Sequence, residues 1–249
     1  MINVKFVKKS LADQINTVKM FLAERNDFSI MIANYFNIAD CFDKPEAEKN
    51  AQIEKTVGKF YQDHQALMAA KVKLSQATWD QHRDYINQQF TEIFGEEFNF
   101  DCTASVNINP VCPRYIENKA FDINALDSDA GILETSLHEV IHFAWFKHWA
   151  EQFPNTTHQD MNAPSLGWLI SEIAVDPIFK NSGLKDFLVR NPAYDYLYEE
   201  KIGNENLMKV VNDLYAKSAS IKDFQNKMLG LYQNREQQST ATEEPGREL

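Results

Sequence analysis

Apolar residues in the first part of the chain recur at helical spacing. Leu11, Ile15, Val18, Phe21 and Leu22 lie three or four positions apart, which predicts a helix over residues 11–25. A second apolar and aromatic run over 28–38 reads as another helix, and Asp43-Lys44-Pro45 breaks it. A polar helix follows over 46–71, carrying Ile53, Val57, Phe60, Tyr61 and Leu67. The next, over 76–94, carries Trp79, Tyr85, Ile86, Phe90 and Ile93, and Gly95 fits its C-terminal stop. Ahead of all these, Val4 to Val7 reads as a short strand.

The texture changes after Gly95. Residues 98–108 partly alternate and are rich in strand formers, a loop with Pro110 and Pro113 follows, and 120–124 reads as a second strand. These predict a small sheet, which either holds an extended peptide along its edge or only covers the core. Two segments are then apolar around nearly their whole circumference, 127–150 and 165–176, and each should be a buried helix. Asp127 or Ser128 can cap the first. Pro177 should end the second, because the residue before a proline disfavours the α region. Two amphipathic helices are expected over 206–217 and 220–232, and the polar stretch 234–249 is expected to be a frayed tail. The pattern predicts an α+β, predominantly helical protein with a helical N-terminal part (1–95) and a core with a small sheet (96–233). The two parts can share one core.

Composition narrows the function classes. The 249 residues are 44% apolar and 12% aromatic, which suits a globular chain with a sizeable core. A formal charge of −11 argues against a nucleic-acid partner, since phosphate binding needs clustered Lys and Arg. No apolar run is long enough to span a membrane. Cys41, Cys102 and Cys112 are an odd number and widely spaced, so reduced thiols are expected rather than a disulfide framework. Lys5, Lys8 and Lys9 near the N-terminus precede no apolar h-region, and a cytoplasmic location is expected.

The chemistry concentrates in His138-Glu139-x-x-His142, inside the first of the two apolar helices. Residues four apart share a helix face, so the two imidazoles can hold one Zn²⁺ while Glu139 serves as general base toward the metal's water. Histidines on a buried helix need partners, and a metal is the natural one. A third protein ligand should come from another element, leaving a position for water. Glu172, a carboxylate in the second apolar helix, is the candidate. Asp176, one turn on, can accept the outward N–H of a ligand histidine.

This two-part pattern, His138-Glu139-x-x-His142 followed by Ser171-Glu172-x-x-x-Asp176, resembles the gluzincin metallopeptidases, the thermolysin-like branch of the zincins. The resemblance covers about residues 127–177. It implies a zincin-like core, one zinc held by His138, His142 and Glu172, water activation by Glu139, orientation of a ligand histidine by Asp176, and a peptide or protein substrate. The family also stabilises the oxyanion with a further His or Tyr. No histidine follows Glu172, so Tyr194, Tyr196, Tyr198, Tyr115 or Arg114 are the candidates here. His148 lies ten residues past His138 and should point about 80° away, as a surface or capping residue. His158 reads as an exposed loop residue. The alternative to a hydrolase is a zinc-stabilised helical binding protein, with His158 or Asp160 closing the metal's fourth position.

Overall fold

The computed structural model describes the backbone of residues 1–242 and the side chains of residues 1–233. The chain is predominantly helical with a small mixed sheet, as the α+β pattern predicts. Its contacts gather it into two compact units, both discontinuous in sequence. One holds Ile2–Arg83 and Phe100–Ser136; the other holds Met1, Asp84–Asn99 and the chain from Leu137 onward. This differs from the division expected near Gly95. The N-terminal strand explains the difference, because it is built into the same sheet as the strands that follow Gly95.

That sheet consists of β1 (Ile2–Lys8), β2 (Phe100–Asn107), β3 (Arg114–Tyr115) and β4 (Ala120–Asn124), in the spatial order β1-β2-β4-β3. β1 and β2 run parallel with Ile2 opposite Phe100 and Lys8 opposite Val106, and β2 and β4 run parallel with Thr103 opposite Ala120. β3 is antiparallel to β4. Strict alternation in Ile2-Asn3-Val4-Lys5-Phe6 buries Ile2, Val4 and Phe6 and leaves Asn3 and Lys5 exposed. Cys102, Ala104, Val106, Phe121 and Ile123 are buried in the neighbouring strands. The outer edge of β1 is occupied by a side-chain amide. Gln76 Oε1 accepts from the Phe6 N–H (3.0 Å), and its Nε2 donates to the Val4 carbonyl (3.1 Å).

Three helices complete this unit's core. α1 (Leu11–Phe21) is capped by Ser10, whose hydroxyl accepts from the Asp13 N–H, and α2 (Asp27–Tyr35) by a capping box between Asn26 and Ser29. Val18, Leu22, Ile32, Ala33, Phe36, Ile38, Ile53 and Val57 bury against one another. The last two lie on α3 (Glu46–Phe94), a single 49-residue helix where two were expected. No Gly or Pro separates residues 71 and 76, and buried Met68, Ser75 and Trp79 carry the helical spacing across the junction. An ion pair lies inside this unit as well. Lys9 meets Asp122 and donates to Thr17 Oγ1 (2.9 Å) and the Tyr115 hydroxyl (3.3 Å).

The other unit is built on α4 (Asp129–Gln152) from Leu137 onward, α5 (Leu166–Lys180), α6 (Asp195–Glu199), α7 (Leu207–Ala216) and α8 (Ile221–Thr242), with a two-residue hairpin of β5 (Lys201–Ile202) and β6 (Glu205–Asn206). α5 does not stop before Pro177 but runs through it. Its last turn is held elsewhere: Lys180 pairs with Asp176 (2.7 Å), and Asn181 returns both its backbone N–H and its side-chain amide to the Pro177 carbonyl. α8 covers residues 234–242, part of the stretch expected to fray, and residues 243–249 of that stretch lie outside the described residues. No helix among the described residues is long and apolar enough to cross a membrane.

Candidate metal centre

α4 starts where Ser128 Oγ accepts from the Gly131 N–H. Around the motif its residues Leu137, Val140, Ile141, Ala144, Trp145 and Phe146 are all buried. Their burial fixes the rotation of the helix. Trp145 meets Phe224 edge-on and offers its carbonyl to Gln225 Nε2 (2.9 Å), which ties α4 to α8. α5 is positioned by its first turn. Ser165 Oγ accepts from the Trp168 N–H, and the Gly167 backbone sits so close to the loop before it that a Cβ there would lie 2.3 Å from the Asp160 carbonyl oxygen. Only glycine allows that approach.

Helices so placed bring His138, His142 and Glu172 together, with one ligand atom from each lying within 4.8 Å of the others. The two Nε2 atoms are 2.9 Å apart. His138 Nε2 is 3.4 Å from one Glu172 oxygen, and His142 Nε2 is 3.4 Å from the other. Ligands at about 2.0–2.1 Å from a tetrahedral zinc stand roughly 3.3 Å from each other. The two imidazole–carboxylate distances match that value, and the imidazole pair is closer. Three polar groups thus converge in an apolar interior, where His142 is fully buried and Glu172 nearly so, while His138 keeps some exposure. Burial pushes the Glu172 carboxyl up, but the two imidazoles outweigh it and hold the group well below the usual carboxylate range. A divalent cation suits this donor set of two imidazoles and a carboxylate.

Glu139 directly follows the first histidine on α4 and is buried. Among the described residues no fourth His, Cys, Asp or Glu joins the cluster. His158 is exposed, and Asp160 accepts from the Thr157 N–H and hydroxyl (2.7 Å each) at the surface, so neither closes the site.

Asp176 is buried one turn beyond Glu172, and its carboxylate takes donors other than a histidine: the Tyr198 hydroxyl, Asn212 Nδ2 (3.2 Å) and Lys180 Nζ. It fastens α5 to α6 and α7 instead of orienting a ligand imidazole. That engagement also occupies Tyr198, whose phenol is pushed up by burial and by the Asp176 charge. Tyr115 serves Lys9 in the unit of the sheet, to which Arg114 also belongs. Tyr196 is raised by burial and by the charges of Glu200 and Glu172, which puts it within electrostatic reach of the cluster. His148 is not a surface residue. It is buried beside Phe94, stacked at 5.6 Å, with Glu96 3.0 Å from its Nε2.

Two residues around α5 were not singled out from the sequence. Trp168 stands four positions before Glu172 and therefore on its helix face, a spacing that sequence alone displays. Asn212 carried no such signal. Comparison with protein-family models, curated proteins and solved structures returned no match.

Proposed function

We propose that the chain is a zinc-dependent hydrolase of the gluzincin kind, cleaving peptide bonds at a centre held by His138, His142 and Glu172. The observation that carries this reading is the convergence of those three side chains, from two helices, on one point. A reading of the motif as a chance match would not require Glu172, 30 residues beyond His142, to meet both imidazoles. The lack of a fourth ligand among the described residues supports an open centre over a closed structural one.

When bound, zinc supplies a Lewis acid for a carbonyl oxygen and an acidified water. His138 and His142 would hold the metal through Nε2, and Glu172 would contribute the negative charge. Glu139 accepts a proton from the attacking water and returns it to the leaving amine nitrogen. The buried surroundings of His142 and Glu172 exclude bulk water, which strengthens each of these interactions. The core around α4 and α5 is then zincin-like in role.

Elemental analysis of the purified protein tests the metal. The expected result is about one zinc per chain, lost on Glu172→Ala. Glu139→Gln should keep the zinc and abolish hydrolysis across a broad peptide panel. A wild-type protein that holds zinc yet matches Glu139→Gln on every peptide would overturn the hydrolase.

A further inference from the structure

A run of aromatic rings leads away from the ligand Glu172. Trp168 shares its helix face, and the Trp168 ring centroid lies 6.3 Å from that of Tyr194. Tyr194 and Tyr196 stack nearly parallel (19°) at 5.8 Å. Tyr194 remains 48% exposed and Tyr196 55% exposed. Leu197 on α6 is fully buried and pins the short helix that carries Tyr196. Two large rings left in water, joined through Trp168 to the helix face that carries Glu172, form an uncovered apolar surface. Their immediate surroundings are acidic, with Asp195 and Glu199 exposed on the same five-residue helix and Glu200 directly after it.

We propose that Trp168, Tyr194 and Tyr196 form a specificity subsite for a cationic side chain, arginine or lysine, of the peptide that the centre cleaves. Ring faces carry negative quadrupole potential and attract a guanidinium or ammonium within about 6 Å. Carboxylates beside the rings add to that attraction and steer a basic peptide toward them. An aliphatic or aromatic substrate side chain would gain from the rings but nothing from Asp195, Glu199 and Glu200. The charge therefore selects the occupant. The inference rests on the hydrolytic reading of His138, His142 and Glu172, but its test is made on binding.

The full-length Glu139→Gln protein, with zinc, is titrated calorimetrically with blocked hexapeptides that differ at one position: arginine, norleucine or phenylalanine. The arginine peptide should bind about tenfold tighter than the norleucine peptide, with the advantage shrinking at high salt. Tyr194→Leu combined with Tyr196→Leu should bring the three peptides level while zinc content and the melting temperature stay unchanged. Tyr196→Phe keeps the ring and should keep the preference. Both tyrosines are solvent-facing, and Tyr196→Leu alone gives the same readout should the double variant fail to fold. Equal binding of the three peptides, tighter binding of phenylalanine, or an arginine preference that survives loss of both rings would overturn the subsite. A protein that takes up no zinc overturns the hydrolytic reading instead. The same titrations without metal then still decide the subsite by whether the arginine advantage depends on the rings.

Discussion

The Tyr198 hydroxyl donates to Oδ1 of Asp176, joining α6 to α5 one turn beyond Glu172. Asp176 is fully buried, and its charge is compensated by Tyr198, Asn212 and Lys180, whose ammonium also lies 4.8 Å from the Tyr198 ring centre. A hydrogen bond to a buried charge is worth about 1.5–3 kcal/mol. Tyr198→Phe should therefore lower stability by about that amount, read from urea denaturation. Because Glu172 rides on the same helix, the variant should also bind zinc more weakly, in competition with a chromogenic chelator. Unchanged zinc affinity in a clearly destabilised variant would show that α5 is held in place without this contact.

Metal removal should destabilise the whole protein. A ligand at 1,000 times its dissociation constant stabilises by about 4 kcal/mol. Chelation should lower the melting temperature of the wild type by several degrees. Glu172→Gln keeps the shape of the side chain and removes its charge. It should melt at the same temperature with and without chelator.

Asp122 should leave a signature in the pH dependence of stability. Burial pushes its carboxyl up to about 6, against the opposing pull of Lys9 and Asn107. The folded state thus holds the proton more tightly than the unfolded chain, in which an aspartate titrates near 3.9. The sign follows: the group's contribution is fully present below about pH 4 and is lost as pH rises through about 6. The loss is on the order of 3 kcal/mol. Denaturation midpoints of the wild type across pH 4–7 should carry this slope, and Asp122→Asn should remove it. The absolute stability of that variant is a separate matter, since it leaves Lys9 buried opposite an uncharged amide.

The thiols should differ in reactivity. Burial pushes Cys102 up to about 12 and raises Cys41 as well, so neither supplies thiolate at pH 8. Cys112 is only half-buried. Iodoacetamide on the native protein should modify Cys112 first, with all three labelled in guanidinium, as mass spectrometry of the peptides would show.

Gly167→Ala should act at a distance from its own side chain. The added Cβ meets the Asp160 carbonyl, so either the loop or the first turn of α5 must move. A loss of about 1–3 kcal/mol, together with weaker zinc binding, is expected from thermal melts and chelator competition.

Most of the helices, the strands β1, β2 and β4, and the two halves of the cluster were legible in the sequence because each rests on local periodicity, whereas the two-residue β3 lies in a stretch read as a loop. His138 and His142 share a helix face by spacing alone, and Glu172 stood out as a carboxylate in an apolar segment. What spacing could not show was where side chains go once helices meet. Asp176 has the position of a histidine-orienting residue, yet its partners are Tyr198 and Asn212, from parts of the chain that sequence distance does not relate. His148 is placed by its angle from His138, whereas Phe94 at the end of α3 and Glu96 just beyond it decide its burial. Pro177 was read as a stop from backbone sterics, which the contacts of Asp176 and Asn181 override. The parallel pairing of β1 with β2 was also hidden, because some ninety residues of helix separate them.

Gln76 has a consequence beyond the fold. A sheet's outermost strand presents bare N–H and C=O groups that another molecule's strand can add to, and chains that leave such a border open tend to polymerise. Here one amide side chain fills two of those positions on β1 and leaves less backbone for a foreign strand to pair with. Gln76→Ala should fold, since Gln76 is only half-buried and gives the sheet just these two side-chain bonds, but should form aggregates on storage that light scattering detects.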